Sequence, residues 1–178
     1  MSKNVTKSDL NKLLGKGGLV LTVLLLVASA LALVGHNFAT SQVKRQLDQE
    51  KITFPAAGTA ALSPEQYPGL QQYAGQPVDN GVKAKAYADE YIWVHMMKSS
   101  GGKSYAEISA QQRANPQDQK LSELKTSLFQ GDMLRSSLLT AYAFSVFGMI
   151  AGYAAVFFLA AAGVVLLLSL WSFAKARK

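Results

Sequence analysis

An imidazole and two thioethers stand side by side at His95, Met96 and Met97, and these are the residue types in this chain best suited to metal chemistry. Together they form a soft ligand set that suits Cu(I). Neighbouring residues on a helix point in different directions, however, and only Tyr91 lies one turn away from His95. The spacing therefore favours a histidine on the face of a packed helix. We predict no metal site, and copper binding by these three residues is the alternative.

A second motif, Gly101-Gly102-Lys103-Ser104, looks like the end of a phosphate-binding loop. That loop needs a glycine five positions before its second glycine, and Met97 stands there. The chain has no cysteine, which excludes thiol catalysis and thiolate metal sites. No zinc-protease motif, nucleophile elbow or dinucleotide fingerprint occurs. We therefore predict no catalytic residue, no cofactor and no enzymatic activity.

Two long uncharged runs surround these motifs, because residues 17–43 and 136–174 contain no Asp, Glu, Lys or Arg. About 20 apolar residues in a helix cross the hydrocarbon core of a bilayer, and a helix satisfies its own backbone hydrogen bonds there. The second run would measure about 58 Å as one helix, which exceeds one bilayer. We expect it to begin outside the membrane, as a continuation of the amphipathic stretch at Leu121, Leu124 and Leu128.

The charge distribution predicts the orientation of these spans. Each chain end carries a net charge of +3, whereas residues 44–135 carry +1. Positively charged segments stay cytoplasmic, so both termini are placed in the cytoplasm of a bacterium and the loop outside its plasma membrane. Because the excess charge lies beside the spans, we expect contact with membrane lipids and no nucleic-acid partner. A cleaved signal peptide, with a cleavage site at Ala28-Ser29-Ala30 or Ala30-Leu31-Ala32, is the competing interpretation, but the apolar stretch continues beyond both sites.

The predicted fold is an all-α membrane protein, in which two transmembrane helices flank a mostly helical extracytoplasmic domain with an irregular Pro/Gly-rich segment. The predicted segments are a cytoplasmic basic tail at 1–16, transmembrane helix 1 at 17–40, the extracytoplasmic domain at 41–135, a long helix including transmembrane helix 2 at 136–173, and a second basic tail at 174–178.

The irregular segment covers residues 52–80, which are rich in proline and glycine and should be mostly extended, with one short helix capped by Ser63. Further along the loop, Ser104 and Glu107 fit a capping box, in which each side chain satisfies a free backbone donor. This motif predicts a helix ending near Ala114.

Between these segments, Asp79-Asn80-Gly81 should form a turn or begin a helix. Apolar residues then recur at helical spacing, which predicts a helix from Val82 to Met97 whose stripe faces the domain core. The run Ser99-Ser100-Gly101-Gly102 should stop that helix. The stripe consists of Val82, Ala86, Tyr87, Tyr91 and Val94. The aromatic residues Tyr87, Tyr91 and Trp93 are our candidates for contact with a partner. In the next amphipathic stretch, Gly131 is the expected weak point.

The second run also contains a small-xxx-small motif at Gly148 and Gly152, which Ala155 extends. Ala28 and Ala32 give the first run a similar shallow face. Helices in lipid lack a hydrophobic drive to associate, so close backbone approach at such faces supplies the packing. We predict that these faces pack on each other or on a larger membrane protein. His36, at the outer end of the first run, is predicted to be an interfacial anchor.

Five short segments suggest a family. They are Phe54-Pro55-Ala56-Ala57-Gly58, Tyr73-Ala74-Gly75-Gln76, Ala84-Lys85-Ala86-Tyr87-Ala88, Gly101-Gly102-Lys103-Ser104-Tyr105-Ala106-Glu107, and Leu128-Phe129-Gln130-Gly131-Asp132-Met133-Leu134-Arg135 with the following Ala141-Tyr142-Ala143-Phe144. This pattern, over most of residues 50–148, resembles a family of small actinobacterial membrane proteins. The resemblance implies two spans, an outer helical domain and no established activity. Some members carry a ring-opening dioxygenase label, but two histidines in different regions do not make a non-haem iron site.

Size and layout also resemble the small accessory subunit found with the actinobacterial supercomplex of cytochrome bc and aa-type cytochrome oxidase. The leading hypothesis is therefore a non-catalytic accessory or scaffold subunit of a larger membrane complex, with cytochrome bc and cytochrome oxidase subunits as the expected partners. The alternatives are an extracytoplasmic copper-handling or oxidase assembly factor, and a self-associating cell-envelope protein.

Overall fold

The computed structural model describes residues 6–177, and every regular element within them is a helix. Lys3 and Lys178 of the predicted basic tails lie outside the described residues. Five α-helices are present, α1 Lys7–Glu50, α2 Gly81–Ala86, α3 Trp93–Ser100, α4 Tyr105–Ala114 and α5 Gln119–Ala176, together with 3-10 helices at Ala60–Leu62 and Pro68–Tyr73 and a π-helix at Tyr87–Ile92. The all-α prediction is confirmed. Two of these helices, α1 and α5, are long and apolar enough to cross a membrane.

The chain divides into two compact units. Met1–Phe38 and Phe147–Lys178 form one unit, which we call the helix pair, and Ala39–Val146 forms the other, which we call the loop unit. The uncharged run 136–174 is therefore shared between them. Its first part belongs to the loop unit, where Leu138 and Ala141 are buried in the core. The run is longer than one bilayer crossing needs because its first part packs in the core of the loop unit.

Helix α1 continues beyond the predicted span at both ends. At its start, the Thr6 hydroxyl donates to the Asp9 carboxylate at 2.7 Å and accepts from the Asp9 backbone N–H at 3.2 Å, which caps the first turn. At its other end, Val43 and Leu47 are buried in the core of the loop unit. Their spacing of four residues places them on one face of the helix. The end of the uncharged run therefore does not end the helix.

An isolated antiparallel β-bridge between Thr53 and Pro77 joins the two ends of the Pro/Gly-rich segment. Around it, the Phe54 N–H donates to the Gln76 carbonyl and the Val78 N–H donates to the Ile52 carbonyl, each at 2.9 Å. The side chains of Phe54 and Val78 are thereby held in the core.

The predicted short helix capped by Ser63 is wrong. The Ser63 hydroxyl does accept the Gln66 N–H at 3.4 Å, but the segment that it caps is only a turn. Ser63 instead follows the 3-10 helix Ala60–Leu62, and the next helix begins at Pro68. A proline can start a helix because it has no N–H to leave unsatisfied, and Pro68 fills this role instead of Pro64.

The predicted helix over residues 82–97 is present as three consecutive pieces, α2, the π-helix and α3. Asn80 caps its start, since the Asn80 side chain accepts the Lys83 N–H at 3.0 Å. Gly101 ends it in the left-handed conformation with φ of 63°. Both boundaries confirm the expected start and stop.

The predicted stripe of this segment is confirmed except at Val82, which is 61% exposed. Ala86 lies in the core, and Tyr87, Tyr91 and Val94 pack against it. A second row of buried residues, which was not predicted, runs in steps of four through Ala84, Ala88, Ile92 and Met96. In an α-helix of 3.6 residues per turn such steps drift off one face. The π-helix has wider turns, with bonds from i to i+5, and so keeps them aligned.

The boundaries of the last two helices follow their capping residues. Ser104 and Glu107 form the predicted capping box, and α4 ends at Ala114 as expected. The Asp118 carboxylate accepts the Leu121 N–H at 3.1 Å at the start of α5. Gly131 is not a weak point, because α5 runs through it unbroken. A Cβ at this position would lie 2.6 Å from the Met96 sulfur, so the glycine makes room for a core side chain.

Candidate functional site

Among residues 6–177, hydrogen bonds join α1 to α5 at three places within the helix pair, each from a side chain to a backbone carbonyl. The Ser8 hydroxyl donates to the Ala176 carbonyl at 2.9 Å, and the Ser29 hydroxyl donates to the Ala155 carbonyl at 2.8 Å. His36 Nδ1 lies 2.8 Å from the Gly148 carbonyl. A carbonyl only accepts, so the last contact places a proton on Nδ1.

These three bonds follow a seven-residue register. Ser8, Ser29 and His36 are 21 and 7 residues apart, and the carbonyls at Ala176, Ala155 and Gly148 are separated by the same steps in reverse order. A seven-residue repeat is the period at which one face of a helix stays against a partner helix. The two helices of the pair are therefore antiparallel and in register from Ser8 to His36.

The predicted packing residues of α5 take part in this contact. A Cβ on Gly152 would lie 2.9 Å from His36 Nδ1, and the Gly148 carbonyl receives the hydrogen bond of the same ring. Ala155 is buried and its carbonyl accepts from Ser29. The small-xxx-small motif thus accommodates an imidazole. On α1, Ala28 and Ala32 are half-buried.

The sequence analysis did not predict the contacts that the helix pair makes near the chain termini. Gly18 packs so closely on Ser169 that a Cβ there would overlap the serine hydroxyl, and a Cβ on Gly15 would lie 2.8 Å from the Phe173 ring. Thr22 and Ser169 are the buried polar residues of this region. The sequence does contain a pattern that indicates this face of α1. Small or hydroxyl-bearing residues are spaced three, four and seven positions apart, at Gly15, Gly18, Thr22 and Ser29.

The remaining surface of the helix pair is covered by large apolar side chains. Those on α5 include Tyr153, Val156, Phe157, Leu159, Val164 and Leu167, each more than half exposed. The pair therefore buries small and polar groups and leaves bulky apolar groups outside.

The loop unit contains a connected cluster of five aromatic rings. Phe54 contacts Tyr73 with ring centroids 5.3 Å apart and contacts Tyr87 at 5.1 Å. Tyr91 continues the cluster, at 4.8 Å from Tyr87 and 5.3 Å from Tyr67. Burial raises the pKa of Tyr87 to about 12, so its hydroxyl stays protonated at neutral pH. The π-helix supplies both Tyr87 and Tyr91 to this cluster.

Trp93 is the third predicted contact residue. Within residues 6–177, its ring does not contact the ring of Tyr87 or of Tyr91. Its ring is 40% exposed and faces the Arg135 guanidinium at 4.9 Å. Arg135 also donates to the Asp89 carboxylate at 2.8 Å, and Lys85 donates to the second carboxylate oxygen at 2.5 Å. Hydrogen bonds from Lys85 and Arg135 hold the pKa of Asp89 below its ordinary value. Trp93 is therefore positioned by a charged network.

The structure separates the residues of the copper alternative. Met96 is buried in the core, where its sulfur packs toward Gly131, and Met97 is half-buried against the same core. His95 is exposed and lines a cavity of about 470 Å³ together with Tyr67, Tyr91 and Lys98. Within residues 6–177, no group of three or more His, Cys, Asp or Glu side chains is arranged to hold a metal ion.

No protein-family model, no curated protein and no solved structure matches this chain. Its function is therefore inferred from the geometry of the two units.

Proposed function

We propose that this chain is a non-catalytic accessory or scaffold subunit of a larger membrane complex. One observation supports the proposal above the others: the helix pair uses its small and polar residues for its own closure and presents large apolar side chains outward. Such a surface suits lipid and the apolar grooves of neighbouring membrane helices. A proton or ion path commonly uses charged or histidine side chains at mid-depth, and residues 17–35 and 136–174 contain no Asp, Glu, Lys, Arg or His.

In this proposal α1 and α5 both cross the plasma membrane. Both termini lie in the cytoplasm because each chain end carries a net charge of +3, and the loop unit lies outside the cell. Trp171 supports this placement, since its ring lies 4.0 Å from the Lys175 ammonium and such pairs anchor helices at the membrane interface.

The expected partners are subunits of the cytochrome bc and cytochrome oxidase supercomplex. This choice rests on the size of the chain and on the layout of two spans around one outer unit, which resemble those of the small accessory subunit of that supercomplex. A docking face is available on α5, where Tyr153 and Phe157 lie one helical turn apart and are both more than two-thirds exposed. Rigid aromatic rings give large contact area at low cost in conformational entropy, which suits them to grooves of a partner.

The test is affinity purification of the tagged full chain from native membranes in a mild detergent, followed by identification of the copurified proteins. We expect haem-containing respiratory subunits. The matched variants are Tyr153→Ala with Phe157→Ala on α5, which should lower copurification, and Leu24→Ala with Leu31→Ala on α1, which should not. Leu24 and Leu31 are similarly exposed but have no ring.

Two results would contradict the proposal. Absence of respiratory subunits from the purified sample would exclude the supercomplex as partner. Recovery of a second, differently tagged copy of the chain, with no other membrane protein, would favour the self-associating envelope protein instead.

A further inference from the structure

We propose that the loop unit binds a small organic anion with a flat apolar body, such as an aromatic carboxylate, in the cavity beside His95. This site is independent of the helix pair and of the proposed respiratory partner. All the residues that line the cavity belong to the loop unit.

The cavity has the size of a small-molecule site. Its volume of about 470 Å³ lies within the range of roughly 300 to 1,000 Å³ that is typical of ligand pockets. Three separate elements build it: the 3-10 helix at Ala60–Leu62, the turn that leads to Tyr67, and the helical segment that contains Tyr91, His95 and Lys98.

One part of the lining is apolar and flat. The methyl groups of Ala60 and Ala61 and the rings of Tyr67 and Tyr91 contribute this part. The two rings lie 5.3 Å apart at an angle of 42°, so each can present a face or an edge to a planar ligand. This geometry accounts for the flat apolar body of the proposed ligand.

The other part of the lining is rich in hydrogen-bond donors. The Lys98 ammonium donates to the Gln66 side-chain carbonyl at 3.1 Å, which leaves two of its three N–H groups for a ligand. Gln66 retains its NH₂ group, and the His95 ring contributes a further N–H. No carboxylate lines the cavity among the described residues. A lysine and several donors without an acidic neighbour favour an anion.

The tyrosine hydroxyls add to this donor set. Within residues 6–177, neither the Tyr67 nor the Tyr91 hydroxyl makes a hydrogen bond. Desolvation by burial raises the pKa of Tyr67, so its hydroxyl stays protonated near neutral pH. Tyr91 reaches the cavity from the π-helix, a rare element that is frequently found at functional sites.

The test is equilibrium dialysis of the full chain in lipid nanodiscs against labelled para-hydroxybenzoate, with empty nanodiscs as the blank. Para-hydroxybenzamide has the same ring without the charge, and inorganic phosphate has the charge without the ring. We expect saturable binding of the benzoate that is about tenfold tighter than binding of the amide, because one charge-assisted bond is lost. Phosphate alone should not compete at equal concentration.

Two variants locate the site. Lys98→Gln should weaken benzoate binding about tenfold while amide binding is unchanged. Ala61→Trp should fill the cavity and abolish binding of both ligands, and the exposed position tolerates the larger side chain. The control is Lys103→Gln, because Lys103 belongs to the same unit but contacts Gln111 and does not line the cavity. Melting temperatures of all variants check that each is folded.

The proposal is overturned by equal affinity for benzoate and benzamide, by wild-type affinity in both Lys98→Gln and Ala61→Trp, or by effective competition from phosphate alone. Absence of saturable binding at millimolar concentration overturns it as well.

Discussion

The helix pair and the loop unit bury opposite kinds of side chain. Buried positions in the pair include the small or polar residues Thr22, Ala155, Ala162 and Ser169, while most of its leucines and the Phe157 ring are exposed. Buried positions in the loop unit include Phe54, Leu62, Leu70 and Leu128, while most of its charged residues are exposed. The two units thus follow different packing rules within one chain.

The two patterns are those that lipid and water favour as solvents. In water, burial of apolar surface stabilises a fold by roughly 25 cal/mol per Å², so large apolar side chains go inside. In lipid that gain is absent, and helices associate through close backbone approach and hydrogen bonds. Helix α5 shows both rules, because Leu128 is 1% exposed and Leu167 is 69% exposed on the same helix.

Leucine truncation on α5 gives the largest expected difference between the units. Leu128→Ala should lower the free energy of unfolding of the loop unit by about 2 to 5 kcal/mol, because it opens a cavity in a packed core. Leu167→Ala should change stability by less than about 0.5 kcal/mol, because its side chain is exposed. Hydrogen exchange of the full chain in nanodiscs measures both. Equal losses of protection would refute the contrast.

Glycine enlargement should show the second-largest effect, this time in the helix pair. Gly18→Leu places a side chain against Ser169 and should destabilise the pair by about 1 to 3 kcal/mol through overpacking. Gly17→Leu is the control, since a Cβ there meets nothing within 4 Å.

Energy transfer between dyes on cysteines introduced at Val20 and Val164 reports closure of the pair, and the cysteine-free chain makes these labels specific. If both glycine variants separate the helices equally, Gly18 is not a packing position.

The charged network of the loop unit should contribute less than its core. Asp89→Asn removes a carboxylate bonded to Lys85 and Arg135 and should cost at most about 1 kcal/mol at neutral pH. The folded pKa of Asp89 is below its unfolded value, so this contribution is present above about pH 4 and is lost as the pH falls through the folded pKa.

Unfolding of the variant should therefore depend less on pH below about pH 4 than unfolding of the wild type. Asp132→Asn is the control, because Asp132 forms no ion pair within the described residues. An equal loss of acid dependence in the control would rule out a specific role for Asp89.

Removal of one hydrogen bond between α1 and α5 should have the smallest effect. Ser29→Ala deletes the bond to the Ala155 carbonyl and should cost about 0.6 kcal/mol, the average for such bonds in membrane helices. Ser172→Ala is the comparison, since the Ser172 hydroxyl makes no hydrogen bond within residues 6–177. The same energy-transfer measurement applies, and an effect of Ser29→Ala no larger than that of Ser172→Ala would show the bond to be neutral.

Local signals predicted many features of the fold correctly. The capping box at Ser104 and Glu107, the helix start at Asn80 and the stop at Gly101 each depend on residues within a few positions of one another. The errors have a different origin. Gly131 was expected to weaken α5 because glycine is a poor helix former, but Met96 fills the space above it.

The candidate site was predicted only in part, for the same reason. Gly148, Gly152 and Ala155 form a contiguous motif that the sequence displays directly. Their partner His36 is 112 residues away from Gly148, and nothing local indicates that its ring hydrogen-bonds there. Similarly, the spacing of Tyr87 and Tyr91 indicated one helical face, but their contacts with Phe54 and Tyr67 depend on the closure of the Pro/Gly-rich segment.

The sequence by itself determined the two apolar helices, the caps of the short helices and the small residues at which helices can approach. These properties follow from composition and near-neighbour spacing. The tertiary structure decided the seven-residue register of the helix pair, the π-helix that turns Tyr91 toward the cavity, and the division of the second uncharged run between two units. Each of these depends on contacts between distant residues, and such contacts form only when the chain has folded.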